Sequence, residues 1–304
     1  MQIMSLITAL PGAAAQGLIW GIMAIGVYIT FRILDIADLT VDGTLCTGGA
    51  VCIMMMLSGH NVWVSMLVAT GAGLLAGLAT GIFHTFMGIP AILAGILTQL
   101  SLYSVNLKIM GKANQAINVD KFNLLVSLRR VKGVALTQNT LFIVAIMIII
   151  LIAVLYWFFG TELGCSLRAT GCNPSISRAQ GINTDRNKVL GLMLSNGLVA
   201  LSGALLTQYQ GFADINMGRG SIVIGLAAVI IGEAIFSRIF RNFALKLLSV
   251  VFGSILYYLV LQIVIWMGID TDLLKMLSAL VVAFFLAFPY WKGKYFTKAK
   301  QGGK

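Results

Sequence analysis

Long apolar runs recur along the whole chain and limit its fold more than any other feature. Each run is close to the roughly 20 residues that a helix needs to cross a hydrocarbon core of about 30 Å. They are Gly17–Ile33, Gly43–Leu57, Val62–Phe86, Ile92–Met110, Leu141–Phe159, Val189–Tyr209, Ile222–Phe236, Leu247–Met267 and Leu274–Pro289. We therefore predict an all-α, polytopic transmembrane helical bundle of about eight to nine membrane segments, forming a single transmembrane domain over residues 1–304.

The composition excludes a soluble domain. Only 10% of the 304 residues are charged and the mean hydropathy is +0.95, whereas soluble domains carry about 25% charged residues. The runs lack the alternation of apolar and polar residues that transmembrane β-barrel strands require. The first residues have no basic region or cleavage site, so we do not expect a removable signal peptide. The lipid bilayer is the expected surrounding.

The net charge of +11 reflects how the chain is oriented across the membrane rather than nucleic-acid binding, because the basic residues lie in short loops and in the C-terminal segment. The loop 161–188 and the basic tail 291–304 are rich in arginine or lysine, which places both in the cytoplasm by the positive-inside rule. Counting crossings then places 111–139 outside, although that loop is also basic. Either it violates the rule or one segment is re-entrant, and Arg32–Asp42 is the candidate for a broken element.

Polar side chains inside two apolar segments are the candidates for a translocation path, because such residues usually face a protein interior or a water-filled cavity. Interhelical hydrogen bonding that only holds the bundle together is the alternative for each of them. The path residues that we predict are Gln99, Tyr103, Asn106, Asn196, Thr207 and Gln210.

Three acidic residues lie beside or inside the apolar runs. Glu233 either pairs with Arg238 or acts as a proton-relay acid, and the ion pair is favoured because no His or Lys partner is near. Three roles are open for Asp38 and Asp42: lining the path, contacting a partner or capping the following helix. A cap is favoured for Asp42.

No pattern typical of enzymes is present in the sequence. There is no GxxxxGK[ST] phosphate loop, no HExxH and no nucleophile elbow, and His60 and His84 are isolated. The cysteines show no CxxC spacing and are predicted to be small packing residues; they are Cys46, Cys52, Cys165 and Cys172. We therefore expect no enzymatic activity, no metal site and no cofactor in this chain, and any ATP to be bound by a partner subunit.

The loop 161–188 is much longer than a connection between two membrane helices needs to be. Asn173 followed by Pro174 predicts the start of a short helix, and Gly181 predicts its end in a left-handed turn. Charge alone leaves open whether the loop only sets the topology or binds another protein.

The same loop resembles the permease subunits of bacterial ABC importers of the branched-chain amino acid and ribose type. In that family the segment is the coupling helix, which docks into a cleft of the cytoplasmic ATPase subunit. The resemblance assigns ATPase coupling to Leu163, Gly164, Arg168, Ala169, Thr170, Gly171, Asn173, Ala179, Gly181 and Ile182.

The resemblance extends over Asp35–Thr44, Ala94–Gly111 and Gly191–Phe236, and it is strongest to a branch associated with uptake of aromatic amino acids, especially tryptophan. It implies a homodimer in the bacterial inner membrane, a separate ABC ATPase and an external lipoprotein that binds the substrate. The loop residues Asp214, Asn216 and Arg219 would contact that binding protein, or the loop only makes a turn. The alternative function is an ion-coupled secondary transporter, which usually shows internal repeats and intramembrane ionisable residues.

Overall fold

The structure, a computed structural model, describes residues 2–119, 121–122, 124–131, 135, 138–236, 240 and 242–268, with isolated positions between 273 and 287. Over this part of the chain it is a bundle of α-helices. The helices are α1 (Gln2–Tyr28), α2 (Val41–Leu57), α3 (Val62–Thr85), α4 (Ala91–Met110), α5 (Thr140–Gly160), α6 (Glu162–Cys172), α7 (Pro174–Ala179), α8 (Thr184–Gln210), α9 (Ser221–Phe236) and α10 (Phe243–Trp266). A π-helix (Ile29–Ile33) continues α1, a 3₁₀ turn covers Leu128–Val131, and β1 (Asn114–Ala116) pairs antiparallel with β2 (Phe212–Asp214).

Asparagine side chains start four of these helices. In each case the amide oxygen accepts a hydrogen bond from a backbone N–H two or three residues further on, which satisfies one of the free amides of the first turn. These caps are Asn61, Asn139, Asn173 and Asn183. Gly111 and Gly211 end α4 and α8 in the left-handed region at φ 69° and 80°, where glycine carries no steric penalty.

The bundle has two ends, which α8 connects. Its 27 residues span about 40 Å, from the segment that follows α7 to β2. We call these the α7 end and the ribbon end, the latter after the β1–β2 pair. Because β1 pairs with β2, residues 111–119 and the loop 211–220 lie at the same end, as the crossing count predicted.

Helix α8 forms the centre of the bundle, packing against α1, α2 and α3. Glycines on α3 allow this contact. At Gly73, Gly77 and Gly81 a Cβ would meet α8 directly, whereas Gly71 faces open space. Small residues therefore let the two backbones approach closely, as in other membrane helix pairs.

The stretch Arg32–Asp42 is broken, as the sequence predicted. The π-helix ends at Ile33, Asp35 takes φ 56°, and regular helix resumes only at Val41. Leu34 contacts Gly191 near the start of α8, whereas Thr44 reaches Asn196 near its middle. The chain therefore turns back into the bundle with a non-helical backbone that the surrounding protein covers.

A second discontinuous crossing is formed by the loop 211–220 and α9. Gly218 packs against the Asp42 carbonyl, so α9 begins beside the start of α2 and not at a bundle end. From this meeting point α2 runs toward the ribbon end, and α9 runs toward the α7 end, where Glu233 meets Arg32. The two helix N-termini thus meet inside the molecule.

Within the part of the chain that the structure describes, six helical stretches are long and apolar enough to cross a membrane, and α2 and α9 are shorter apolar helices. These eight correspond to the first eight predicted segments, although α1 begins well before Gly17. The ninth segment, Leu274–Pro289, falls mostly outside the described residues, and the tail 291–304 lies wholly outside them. Cys46 and Cys52 are buried as predicted for packing residues, whereas Cys165 and Cys172 are exposed on α6.

Candidate functional site

A cavity of about 240 Å³ lies beside α4, between that helix, the first turns of α2 and the loop 211–220. Gln99, Tyr103 and Asn106 line it from α4, while Asp42 and Arg219 line it from the other two elements. It therefore joins three predicted path residues with one residue predicted to contact a binding protein. We call it the α4 cavity.

Two polar groups of the α4 cavity have no protein partner. Asn106 is 1% exposed; its Nδ2 donates to the Gly43 carbonyl at 3.3 Å, but its Oδ1 accepts no hydrogen bond. The Arg219 guanidinium forms neither an ion pair nor a hydrogen bond with any other described residue. Buried polar groups are normally paired, so the Asn106 acceptor is exceptional, whereas Arg219 is an exposed cation beside it that water solvates.

Asp42 shapes the cavity by capping α9. One carboxylate oxygen accepts from the Ser221 hydroxyl at 2.9 Å and the Ile222 N–H at 3.0 Å, and the other accepts from the Gly220 N–H at 2.9 Å. The prediction that Asp42 caps the following helix, α2, is wrong, because the carboxylate caps a helix 178 residues away along the chain. The negative charge also suits the positive end of the α9 dipole.

Behind the cavity, a buried carboxylate holds the broken stretch to α8. Asp38 is 2% exposed, and its carboxylate accepts from Asn196 Nδ2 at 2.7 Å and from the Thr40 N–H at 2.9 Å. Thr44 donates to Asn196 Oδ1 at 2.7 Å. Both oxygens of Asp38 and both ends of the Asn196 amide are satisfied, so this network is structural in its geometry.

The same network continues to α3 and α4 through hydroxyl groups. The hydroxyls of Thr40 and Thr80 are 2.7 Å apart, and Thr80 donates to Thr98 at 2.9 Å. Asp38, Thr40 and Thr80 were not predicted as one group. Their shared signal in the sequence is only a polar residue inside or beside an apolar run, and the partners come from distant segments.

The three remaining predicted path residues do not line the α4 cavity. Asn196 is completely buried in the network above, and Thr207 is 1% exposed beside Gly49 and Met217. Gln210 lines a different cavity, of about 470 Å³, formed by α1, α8, α10 and the 3₁₀ turn. Asn196 and Thr207 thus pack within the bundle, the alternative that the sequence left open, and a role of the three residues in a path stays a prediction.

The ribbon end exposes two of the predicted binding-protein contacts. Asp214 is half-buried; its carboxylate accepts from the Asn216 N–H at 2.7 Å and from Asn114 Nδ2 at 3.4 Å. Asn216 and Arg219 are exposed. The loop therefore makes the predicted turn; Asn216 is exposed there, whereas Arg219 also lines the α4 cavity.

At the α7 end, the predicted short helix is present. Helix α7 begins at Pro174, and Asn173 caps it by accepting from the Ile176 N–H at 3.1 Å. Gly181 follows at φ 82°. Ile182 N–H bonds the Ser177 carbonyl at 3.0 Å, which closes the turn that leads into α8.

Helices α6 and α8 fix α7 in place. Asn187 at the start of α8 donates to Ser166 at 2.5 Å and to Thr170 at 2.8 Å. Arg178 of α7 donates to the Thr184 hydroxyl at 2.7 Å and pairs with Asp185 at 3.2 Å. Arg178 thus joins α7 to the start of the central helix, and Asn187 joins that same start to α6.

Two glycines of the predicted coupling set allow α6 to pack closely on the bundle. A Cβ at Gly164 would meet the Phe158 carbonyl and Phe159, and one at Gly171 would meet the carbonyl of Ile33 at the end of the π-helix. Arg168 lies 5.8 Å from the Phe243 ring centroid, in a cation–π arrangement. Gly164 and Gly171 thus join α6 closely to the bundle, whereas Arg168 remains exposed at its surface.

The outward face of the α7 end carries apolar residues. Leu163 is 59% exposed and Ile176 is 57% exposed, in a region otherwise rich in polar and basic residues. Ala179 is also exposed on α7. Apolar side chains on a polar rim are typical of a protein contact surface.

Glu233 has a partner that the sequence did not indicate. Its Oε1 accepts from Arg32 Nε at 2.9 Å, which joins α9 to the π-helix. The predicted partner Arg238 lies outside the described residues.

Among the described residues no group of three or more His, Cys, Asp or Glu side chains is placed to hold a metal ion.

The sequence matches a family model described as "Branched-chain amino acid transport system / permease component" over residues 10–286. It is 38% identical to the tyrosine transport system permease protein of Clostridioides difficile over 272 residues, which cover 90% of this chain and 88% of the relative. It is 25% identical to the fructose import permease protein FruF of Bifidobacterium longum over 246 residues, or 81% and 67% of the two chains.

The fold is similar to a solved structure of PsaBC from Streptococcus pneumoniae in complex with Fab. The TM-score is 0.56 at 16% sequence identity, and the match covers 98% of this chain and 99% of that one. At this identity the likeness concerns the fold alone.

Proposed function

The chain belongs to the family of permease components of the branched-chain amino acid transport system, and from that premise we propose that it is the membrane subunit of an ATP-driven importer of an aromatic amino acid. Its apolar helices make it a multi-pass membrane protein. As a permease component it is not itself an enzyme, and ATP is hydrolysed by a partner subunit. The observation that carries the proposal is the exposed, firmly anchored α7.

Helix α7 suits a docking role because it is exposed and rigid at the same time. Ile176 projects outward, while Asn173 caps the helix and Arg178 holds it to the start of α8. In the proposed cycle, closure of the ATPase on ATP binding moves α7 and α6. The packing of Gly171 on Ile33 and the bonds of Asn187 then pass this motion to α1 and α8.

The proposed orientation puts the α7 end in the cytoplasm and the ribbon end outside. The basic residues of the loop 161–188 support this by the positive-inside rule. An external lipoprotein would then meet the ribbon end, where Asp214 and Asn216 would contact it; Arg219, which lines the α4 cavity, is not required for that contact. The basic segment 291–304 would lie in the cytoplasm.

The proposed path runs along α4 at the interface between two copies of the chain. Ser101, Tyr103 and Ser104 are exposed on that helix in the single chain, and Asn106 and Gln99 face the α4 cavity. Polar side chains on a membrane helix are costly against lipid, so a partner or water is expected to cover this face. A second copy satisfies that need and closes the path on both sides.

The proposed substrate is an aromatic amino acid, with tryptophan expected from the sequence resemblance and tyrosine from the name of the Clostridioides difficile relative. Tryptophan and tyrosine share the ammonium group, the carboxylate and an aromatic side chain. A cavity of about 240 Å³ that contacts these groups therefore distinguishes little between them. Selection between them is expected to take place in the binding protein.

Co-purification tests the coupling proposal. The tagged chain is expressed with the ATPase and binding protein encoded beside it, and Ile176→Glu is compared with Leu128→Glu, a matched exposed leucine at the ribbon end that is 58% exposed. We expect Ile176→Glu to lose the ATPase and Leu128→Glu to keep it. Equal recovery of the ATPase with both variants would contradict docking through α7.

A transport assay separates the alternative function. The wild-type chain alone, without an ATPase, is reconstituted in liposomes under a proton or sodium gradient. We expect no accumulation of tyrosine or tryptophan until the ATPase, the binding protein and ATP are added. Accumulation driven by the gradient alone would identify an ion-coupled secondary transporter instead.

A further inference from the structure

Several polar groups that line the α4 cavity have no hydrogen-bond partner among the described residues. Asn106 Oδ1 lacks a partner although the residue is 1% exposed, and the Arg219 guanidinium is unpaired within the described part of the chain. The Gln99 amide and the Tyr103 hydroxyl likewise have no hydrogen bond to another described residue. Arg219 and Tyr103 are exposed and Gln99 is half-buried, so only Asn106 Oδ1 is deeply buried. An unsatisfied buried group of this kind indicates that a ligand or water completes it.

The charges of the cavity narrow the chemistry of that ligand. Asp42 supplies a carboxylate, whose partners are neutral N–H and O–H donors of α9 and not a cation. Arg219 supplies an isolated cation on the facing loop. A neutral sugar needs neither charge, and a simple anion or cation is repelled by one of them, whereas a zwitterion matches both.

The size of the cavity fits a single small molecule. Its volume of about 240 Å³ lies below the roughly 300–1,000 Å³ of sites that hold drug-sized ligands. Leu100 and Tyr103 provide an apolar and aromatic wall beside the polar groups. Such a wall suits an apolar or aromatic side chain, since rings stack or pack edge-on against one another.

We propose that the α4 cavity is a transient subsite for the amino acid in transit, in which Arg219 binds the carboxylate, Asn106 Oδ1 with Asp42 accepts from the ammonium group, and Tyr103 contacts the side chain. This inference rests on the proposed function, because it assigns roles within the same path. The bidentate guanidinium is suited to a carboxylate. Neither Arg219 nor Asn106 needs to rearrange a protein bond in order to bind.

Uptake by the assembled transporter tests the subsite. The chain with its ATPase and binding protein is placed in liposomes, and ATP-driven uptake of L-tyrosine and L-tryptophan is measured at saturating binding protein. We expect Arg219→Gln to lower uptake by about tenfold or more, since a charge-assisted bond is lost. Arg219→Lys is expected to retain part of the activity. Lys112→Gln, an exposed cation that does not line the cavity, serves as the control and is expected to leave uptake unchanged.

Affinity for the binding protein separates the subsite from a docking role of Arg219. We expect the affinity of Arg219→Gln for the binding protein to equal that of wild type. A loss of that affinity as large as the loss of uptake would overturn the role of Arg219 in the cavity. Asn106→Ala adds an independent test, because a residue that is 1% exposed cannot touch the binding protein. Uptake is expected to fall while docking and ATPase co-purification persist.

The outcomes distinguish failure of the subsite from failure of the proposed function. Wild-type uptake of both amino acids by Arg219→Gln and Asn106→Ala would remove the subsite and leave the importer proposal intact. Absence of ATP-driven uptake of any amino acid by the wild-type assembly would remove both.

Discussion

Helices α4 and α5 are equally uncovered in the single chain but carry opposite chemistry. In each, 22% of the most apolar 18-residue window is buried, yet the mean hydropathy of that window is 3.1 in α5 and 1.3 in α4. Exposure alone therefore does not tell which surface a membrane helix meets. The chemistry of the exposed side chains decides whether the helix meets lipid, water or protein.

The exposed side of α5 is apolar along its whole length. Ile149, Ile150 and Val154 are 64%, 58% and 57% exposed, and Trp157 near the α7 end is 70% exposed. A groove of about 670 Å³ beside α5 has no charged residue in its lining. This face matches lipid tails, with the tryptophan at the depth where aromatic belts lie.

The exposed side of α4 interrupts its apolar residues with polar ones. Ser101, Tyr103 and Ser104 alternate there with leucine and valine, and the adjoining cavity contains Asp42 and Arg219. Such a face is unfavourable against lipid. The difference indicates that α5 borders the bilayer, whereas α4 borders water or a second copy.

The largest effect is expected from a lysine introduced at matched depth in the two helices. Ile149 and Ser101 both lie near the middle of their helices and are exposed. Ile149→Lys is expected to cost about 3 kcal/mol of insertion free energy, since the charge would face hydrocarbon, and to lower the amount of folded chain in the membrane. Ser101→Lys is expected to accumulate as wild type does.

Quantification of the membrane-inserted chain by protease protection checks this prediction. Ile149→Ser, which removes the apolar side chain without adding a charge, controls for loss of packing. A Ser101→Lys variant that is depleted as strongly as Ile149→Lys would show that α4 also faces lipid.

The local features of α7 could be predicted from the sequence because each depends on neighbouring residues. Asn173 caps the helix that Pro174 begins, and Gly181 takes φ 82° at its end. These effects act within one or two turns, so residue order alone specifies them. The residues predicted for a path on α4 lie near one another, since Tyr103 and Asn106 are three apart on one helix and line the same cavity; their role in a path stays a prediction.

The remaining contacts depend on which segments meet in three dimensions. Nothing near Asp42 in the sequence indicates that it caps α9, and nothing near Glu233 indicates Arg32. The polar residues of α8 and α4 look alike in sequence. Only the central position of α8 makes Asn196 a completely buried packing residue, whereas the outer position of α4 leaves Tyr103 exposed.

Glycine substitutions compare a packed position of α4 with an exposed position at the end of α5. A Cβ at Gly95 of α4 would lie 2.8 Å from the Leu39 nitrogen and 3.2 Å from that of Thr40, whereas at Gly160 of α5 it would meet nothing within 4 Å. Gly95→Ala is therefore expected to cost about 1–3 kcal/mol through overpacking. Gly160→Ala is expected to be neutral or slightly stabilising.

Thermal unfolding of both variants in lipid nanodiscs measures this difference. If Gly95→Ala were as stable as wild type, the broken stretch 34–40 would be free to shift away from α4, and the rigid backing of the α4 cavity would be wrong.

Water access is expected to differ by about tenfold or more between the two helices. In a background in which the exposed Cys165 and Cys172 are replaced by serine, Ser104→Cys on α4 is expected to react with a membrane-impermeant thiol reagent. Ile150→Cys on α5 is expected to remain unmodified, because a thiol in lipid does not ionise to the reactive thiolate. The labelling rates of the two variants in whole membranes give the ratio.

A detergent-solubilised sample provides the control for this ratio. Once lipid is removed, Ile150→Cys is expected to become more reactive, whereas Ser104→Cys changes little. Equal labelling of both positions in intact membranes would mean that α4 and α5 meet the same environment.

The smallest expected effect concerns one hydroxyl group on each helix. Tyr103 of α4 is 42% exposed and Tyr156 of α5 is 49% exposed, so Tyr→Phe removes a similarly accessible group from each. Tyr103 lines the α4 cavity, and loss of one hydrogen bond to the amino acid in transit is worth about 0.5–1.5 kcal/mol, which corresponds to a roughly two- to tenfold fall in uptake. Tyr156→Phe is expected to transport as wild type does. Neither change alters packing, so a lower uptake rate for Tyr103→Phe than for Tyr156→Phe in the reconstituted transporter would indicate that the Tyr103 hydroxyl contacts the solute. Equal rates would mean that only the ring of Tyr103, and not its hydroxyl group, acts in transport.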